Sequence, residues 1–291
     1  MKRYILISLC ACFLFISCQD KNRHEIIGGG YGIGEVIDKK REGNWTFYSQ
    51  AGHKIAKGIF KNDLEEGSWT YWFDHGVIEQ VAEWKNGELN GKFKDYYKNG
   101  QLKNDGFFDK NLRVGYWETY SEAGILQRKG DFLADNKIGH WQFFYQNGDK
   151  KLDVNYVNGQ LDGEFITWHE NGKHRETGTY LNELKHGVWL IYHDNGNLRD
   201  SAVYDHDQLN GPYKTYFLNG RVNIDAYYTN DELMGNYTLY RSNGALEEEC
   251  IYVNGKKEGI YKYYDVFGNL KNTAYFRNDQ LVDNEELTQT E

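Results

Sequence analysis

Glycine returns every 24 residues along most of this chain, at Gly43, Gly67, Gly91, Gly115, Gly139, Gly163, Gly187, Gly211, Gly235 and Gly259. A second series runs nine residues later, from Gly52 to Gly268, with no insertion between any two members. A period held this strictly leaves little choice of architecture, because each unit must present the same side chains to its neighbours. A length of 291 residues would otherwise suggest one or two globular domains. Here it resolves into ten copies of one short unit.

Three aromatic series share that phase. The first is Trp45, Trp69, Phe93, Trp117, Trp141, Phe165, Trp189, Tyr213, Tyr237 and Tyr261; the second runs from Tyr48 and Trp72 to Tyr264, and the third from Phe60 and Trp84 to Phe276. Ring identity drifts while ring character holds, as packing requires. The unit reads Gly-x-aromatic-x-x-aromatic-x-Asn-Gly, then a second strand, then another turn. Asn-Gly at 99–100, 147–148, 171–172, 195–196, 219–220 and 243–244 predicts a hairpin turn in which both residues take left-handed φ. The second strand, running from Lys54 to Lys61 in the first repeat, alternates. Its small position holds Gly58, Ala82, Gly106, Gly130, Val154, Gly178, Ala202, Ala226, Cys250 and Ala274, two places before the third ring. Small and ring side chains therefore share a face, and Cys250 is the small residue of its repeat. The rings at 45 and 48 are three apart. Either both faces carry rings, or a bulge near the glycine re-aims one.

The expected fold is all-β: an elongated antiparallel β-hairpin repeat array over residues 35–284, with about twenty strands and, at about 4.8 Å per strand, a length near 95 Å. Each hairpin is marginal alone and is supported by its neighbours, a buried ring contributing about 1.5–3 kcal/mol. Val36 sits where the third ring would fall one period early, so a half-repeat is expected to cap the start. Asp283 replaces the next glycine, which ends the array, and the tail 285–291 is expected to fray. Abundant Tyr, Phe, Trp and Gly with a single proline, Pro212, suits strands and tight turns.

The N-terminus reads as an address. Lys2 and Arg3 precede an apolar stretch from Tyr4 to Ile16, too short to span a bilayer but suited to a secretory signal. It ends in Phe15-Ile16-Ser17-Cys18, which resembles the lipobox of bacterial lipoproteins and implies cleavage after residue 17 and acylation of Cys18. Leu9-Cys10-Ala11-Cys12 competes by its letters, but cleavage there would leave an apolar core of about six residues, below the 7–15 a signal needs. Acyl chains at about 0.8 kcal/mol per buried CH₂ give stable attachment. The expected location is the cell envelope, lipid-anchored on the periplasmic or surface face of a bacterial membrane. Residues 18–34, with Gly28-Gly29-Gly30-Tyr31-Gly32-Ile33-Gly34, are expected to form a flexible tether. No register in that stretch gives a G-x-G-x-x-G loop opening a helix.

Composition narrows the chemistry. The formal charge of −9 becomes −11 once residues 1–17, with Lys2 and Arg3, are removed. An acidic array without a basic stripe is a poor match for nucleic acid. Cys250 is the only cysteine after Cys18 in the mature chain, so no disulfide can close within the array. His169 and His193 lie one repeat apart, about 10 Å on the hairpin spacing, too far to share one zinc; strand histidines in water are expected there. Asp205-His206-Asp207-Gln208-Leu209 lacks the ligands of a calcium loop and reads as a turn. There is no Gly-x-Ser-x-Gly and no Walker loop. The expectation is no enzyme, no cofactor and no metal. Exposed rings could stack on sugars, but strict periodicity argues first for core packing.

Asn86-Gly87-Glu88-Leu89-Asn90-Gly91-Lys92-Phe93-Lys94-Asp95-Tyr96-Tyr97-Lys98-Asn99-Gly100 resembles the MORN repeat, and more closely its 24-residue bacterial variant, over residues 35–284. That resemblance implies an elongated β-hairpin array with a protein–protein or membrane-associated scaffolding role. Proteins of this variant are often described as YwqK-type antitoxins of toxin–antitoxin systems. The leading expectation is a protein-interaction scaffold with an unknown protein partner, held to the membrane through its lipid. The alternatives are an antitoxin or immunity-like protein that neutralises a toxin, and cell-surface carbohydrate binding through exposed rings.

Overall fold

The computed structural model describes residues 22–26 and 29–282; the expected signal segment, Cys18, Gly28 and the 285–291 tail lie outside the described residues. The chain divides into two units, Met1–Asn136 and Lys137–Glu291. Among the described residues there are twenty-four strands and no helix. In the first unit, strands Tyr31–Ile37, Lys40–Tyr48, Lys54–Lys61 and Leu64–Trp72 begin a run that continues to Leu126–Leu133. Consecutive strands of this run, from Tyr31–Ile37 to Leu126–Leu133, pair antiparallel. The second unit repeats the pattern from Lys150–Val157 and Gln160–Trp168 to Leu270–Arg277 and Gln280–Leu281. The strand Lys54–Lys61 falls where the alternation placed it.

The double left-handed turn expected at Asn-Gly lies at the other turn of the repeat. At Asn99-Gly100 only the glycine takes positive φ (84°), and so at every equivalent turn. The four-residue loop is closed by Tyr97 N to Gln101 O and Gly100 N to Tyr97 O, both 2.8 Å. The double left-handed turn lies at the other end of the hairpin: Asn62 (52°) and Asp63 (68°), His206 (51°) and Asp207 (68°), Asn278 (48°) and Asp279 (65°). Both positions there need a residue that tolerates left-handed backbone, which explains the frequent Asn, Asp and Gly. The Asn of Asn-Gly serves by its side chain instead. Asn99 Oδ1 accepts from Gln101 N at 2.9 Å while its Nδ2 donates to Glu122 O, one repeat on, at 2.8 Å.

The series from Gly43 to Gly259 lies inside strands, and all ten members have positive φ. Gly67, Gly91, Gly115, Gly163, Gly187, Gly211 and Gly259 each sit at a register shift in the pairing with the preceding strand, such as that between Lys57 and Ile59 opposite Thr70 and Glu66. The glycine absorbs a bulge. Both faces also carry rings. Trp45, Phe47, Ala56 and Phe60 are buried on one face, which we call closed. Tyr48 and its equivalents are half-buried on the other, open face.

The segment expected as a flexible tether is paired where it is described. Arg23–Glu25 forms a strand against Ile33–Tyr31, and Tyr31–Ile37 pairs with Lys40–Tyr48. Its glycines are seats for rings: a Cβ at Gly34 would lie inside the Trp45 indole, and one at Gly32 would come within 2.9 Å of Phe47. His24 covers Trp45 from outside, with ring centres 5.1 Å apart.

Candidate functional site

Three surfaces of the repeat are consumed by its own neighbours, which directs attention to the fourth. On the closed face, the ring of one strand lies over the small residue eleven positions earlier. A Cβ at Gly58, Gly106 or Gly178 would overlap the indole of Trp69, Trp117 or Trp189. Where the ring is smaller the seat is larger: Ala82 with Phe93, Val154 with Phe165, Ala202 with Tyr213, Ala226 with Tyr237, Cys250 with Tyr261. The residue eleven before Trp141 is again a glycine, Gly130. Tryptophan goes with glycine at five of five positions, and the other rings with a residue bearing a Cβ at five of five. The indole N–H donates to the carbonyl beside its seat: Trp69 Nε1 to Ile59 O at 3.1 Å, Trp189 Nε1 to Thr179 O at 3.2 Å. Cations cap the stack, Arg41 over Phe60 at 3.8 Å, Arg113 over Phe132 at 3.9 Å and Lys185 over Trp189 at 4.1 Å.

Both turn edges are bonded from repeat to repeat. At one, Asp63 N donates to Arg41 O at 3.1 Å and Asp63 Oδ1 accepts from Arg41 N and Nε. Burial pushes the Asp63 carboxyl up, but hydrogen bonds from the Arg41 side chain and backbone together hold it below its usual range. Asp207 with Lys185 and Asp279 with Lys257 repeat the motif. At the other edge His169 Nε2 lies 3.1 Å from Tyr192 O and His193 Nε2 3.3 Å from Tyr216 O. Tyr97 and Tyr145 hydroxyls donate to the equivalent carbonyls, of Tyr120 and Trp168. These histidines are thus half-buried turn residues spanning two repeats, where strand residues in water were expected.

The open face is different. The second ring series runs along it, interleaved with residues 54, 78, 102 and their equivalents: Lys54 caps Trp72 at 5.2 Å, Lys150 caps Trp168 at 5.2 Å, and His174 stands 5.8 Å from Trp168 and 6.0 Å from Tyr192. Beside it lies a polar row of cross-strand pairs: Lys94 with Asp105 (2.8 Å) in the first unit, Lys214 with Asp225 (2.8 Å) and Lys262 with Glu249 (2.6 Å) in the second. Lys262 and then the Tyr264 hydroxyl hold the Glu249 carboxyl below its ordinary range.

Next to that row is a line on which the units diverge. In the first unit it reads Asn44–Ile59, Ser68–Glu83, Lys92–Phe107, Tyr116–Asp131, each pair directly opposed. In the second, from Val188 on, it reads Val188–Val203, Pro212–Tyr227, Asn236–Ile251, Ile260–Tyr275. Val188, Tyr227, Ile251 and Ile260 are between 45% and 56% exposed. Pro212 fits beside the Gly211 bulge, where a ladder N–H is dispensable. The sequence reading missed this line, because its positions recur at alternating intervals of 15 and nine residues and align only through the pairing.

The remaining reactive groups are placed unfavourably for chemistry. Cys250 is buried and burial pushes its thiol up, which suits an inert packing residue. Burial also raises the Tyr237 and Tyr252 hydroxyls, and Tyr261 to about 12, with Glu248 adding to the last. His186 and His206 both approach Asp205, at 3.4 and 2.7 Å. Among the described residues no group of three His, Cys, Asp or Glu side chains is arranged to hold a metal ion.

Four segments, residues 89–110, 137–158, 161–182 and 185–206, match the profile of the MORN repeat variant. No curated protein matches the chain. Among solved structures, it is similar to a chain in the crystal structure of TcdB2-TccC3-Cdc42, with 11% identity, 88% of this chain and 18% of that one covered, and a TM-score of 0.16. For TcdB2-TccC3-TEV the values are 11%, 92%, 14% and 0.17, and for TcdB2-TccC3 without its hypervariable C-terminal region 10%, 88%, 18% and 0.18. The chain therefore spans less than a fifth of the length of those chains. The four matched segments lie on the 24-residue frame, so the stretch from residue 89 to residue 206 carries repeats that match the MORN repeat variant.

Proposed function

We propose that the chain is a non-enzymatic interaction scaffold of the bacterial cell envelope, held to a membrane through an acylated Cys18 and binding a protein partner on the open face of its second unit. The observation that carries this reading is the apolar line from Val188 to Tyr275, exposed on a frame whose closed face and turn edges are occupied by neighbouring repeats. Exposed apolar surface of this kind in a regular sheet marks a site of association. An antitoxin-like role would use the same line against a toxin and adds the requirement that deleting the chain releases toxicity. Sugar stacking is the weaker reading, since the faces of rings such as Trp72 and Trp168 are covered by Lys54, Lys150 and His174.

The test is affinity capture from intact membranes with the wild-type chain and with Val188→Thr/Ile251→Thr/Ile260→Thr, threonine being chosen to keep β-branching in the strands. A specific partner held by the wild type and lost by the variant is the expected result. A partner retained equally by both contradicts the assignment of this face. Metabolic labelling with a fatty acid, lost in Cys18→Ala, checks the anchor.

A further inference from the structure

We propose that the apolar line of the second unit seats an amphipathic α-helix from the partner, laid across the strands, with a narrow apolar seam and flanks of low net charge. The inference rests on the scaffold reading and specifies what it binds.

Four features lead to a helix. The first is direction and spacing. The line runs perpendicular to the strands and offers one side chain per strand, about 4.8 Å apart. A helix turn rises about 5.4 Å, so successive turns meet successive strands. An added β-strand would run along the sheet edge and cannot follow this line.

The second is width. The line is flanked on one side by the Lys214–Asp225 and Glu249–Lys262 row, which Leu190 joins, and on the other by His186, Asp205, Asn210 and Glu258 with Met234 and Val253. A seam one or two residues wide matches the a/d stripe of a coiled-coil-type helix better than a broad apolar face. The eight positions span about 34 Å, the length of about 22 helical residues.

The third is charge. On one flank Lys and acidic side chains already pair across the strands at 2.8 and 2.6 Å, and on the other Asp205 is met by His186 at 3.4 Å and Glu258 accepts from Asn278 N at 2.9 Å. A strongly basic or acidic partner gains nothing from them, whereas a helix with neutral polar flanks leaves them paired.

The fourth is area. Four half-exposed apolar side chains with Pro212 present on the order of 400 Å² of apolar surface, about half of the roughly 800 Å² each partner contributes to a standard interface. That falls short for a second copy of this chain and is ample for one helix.

The experiment pans a displayed library of random 24-residue peptides against the full chain, with counter-selection on Val188→Thr/Ile251→Thr/Ile260→Thr and, independently, on Tyr227→Thr. Far-ultraviolet circular dichroism first establishes that each variant keeps the wild-type sheet spectrum. The expected winners carry apolar residues at i, i+3 or i+4 and i+7, have net charge near zero, turn helical on binding, and lose at least tenfold in affinity on the triple variant. Winners that alternate with period two, or are strongly charged, or bind the variants equally, overturn the proposal. So does wild-type binding to phosphatidylcholine vesicles, or self-association in sedimentation, abolished by the same substitutions. If no helical peptide is selected but membrane capture still yields a partner lost in the triple variant, the scaffold reading stands and the helix falls. If capture also fails, both fall.

Discussion

The first repeats and the last ones are built on one frame and differ in how densely their closed face is packed and how continuous their open-face apolar line is. In the first, Trp45 and Trp69 are 1% exposed and sit over glycines, while the open-face line above them is broken by Ser68, Glu83 and Lys92. In the last, the same closed-face position holds Tyr213, Tyr237 and Tyr261, none fully buried, over Ala202, Ala226 and Cys250, while the open face displays Tyr227, Ile251 and Ile260. One frame thus permits two economies. Where indoles fill the seats the closed face supplies a dense core, and where tyrosines fill them Tyr227, Ile251 and Ile260 stand exposed on the open face, the surface the proposed partner would use.

The largest expected effect breaks that contrast directly. Trp69→Ala removes an indole and its bond to Ile59 O and is expected to cost about 3–5 kcal/mol; Tyr237→Ala, at a half-buried ring, about 1.5–3 kcal/mol. Urea unfolding of the two variants checks the ratio, and equal losses would erase the distinction. Next is the coupling of ring and seat. Gly58→Ala alone forces a methyl into the Trp69 indole, an overpacking expected to cost about 1–3 kcal/mol. Pairing it with Trp69→Tyr recreates the Ala–Tyr combination of the last repeats, so the double variant should be more stable than additivity allows by about 0.5–3 kcal/mol. Strict additivity in the cycle would mean that the five-of-five pairing has no energetic basis.

Alkaline pH should act on both regions, by a smaller margin. Tyr237, Tyr252 and Tyr261 hold their protons more tightly folded than unfolded, Tyr261 up to about 12, chiefly through burial. Above the ordinary tyrosine value of about 10 the unfolded chain binds fewer protons than the folded one, so stability is full below pH 10 and falls as pH rises toward 12. In the first repeats the Tyr71 hydroxyl, whose ring stacks on Trp69 at 5.9 Å, is likewise raised by burial. Hydrogen exchange at pH 10 to 12 should therefore show protection lost both around Tyr237–Tyr261 and around Tyr71; protection unchanged at either place would contradict the role given to burial there. The smallest effect should be the same in both regions. Asn99→Ala and Asn195→Ala each remove a bond to the next repeat, to Glu122 O and Leu218 O, and are expected to cost about 0.5–1.5 kcal/mol apiece by thermal unfolding.

Much of this architecture could be read before any coordinates. The 24-residue phase placed the strand Lys54–Lys61 and put small and ring residues on one face, because those depend only on alternation. The turns escaped, since Asn-Gly is compatible with a double left-handed turn and with a four-residue loop closed by a single left-handed glycine. Which one forms depends on how many residues separate the paired strands. Gly32 and Gly34 were read as flexibility for a related reason: a glycine that frees the chain and a glycine that makes room for Trp45 look alike until the partner ring is known. The open-face line was hidden because Val188, Val203, Pro212 and Tyr227 mix residue types and come into line only through the bulges at the repeat glycines.

Photo-crosslinking in intact cells examines the division between a closed frame and an open binding line most directly. Benzoylphenylalanine replaces Ile260 on the line in one chain and Asn44, its equivalent in the first repeat, in another. A discrete protein adduct at position 260 and none at position 44 is the result expected; adducts at both positions alike, or at 44 alone, would contradict it.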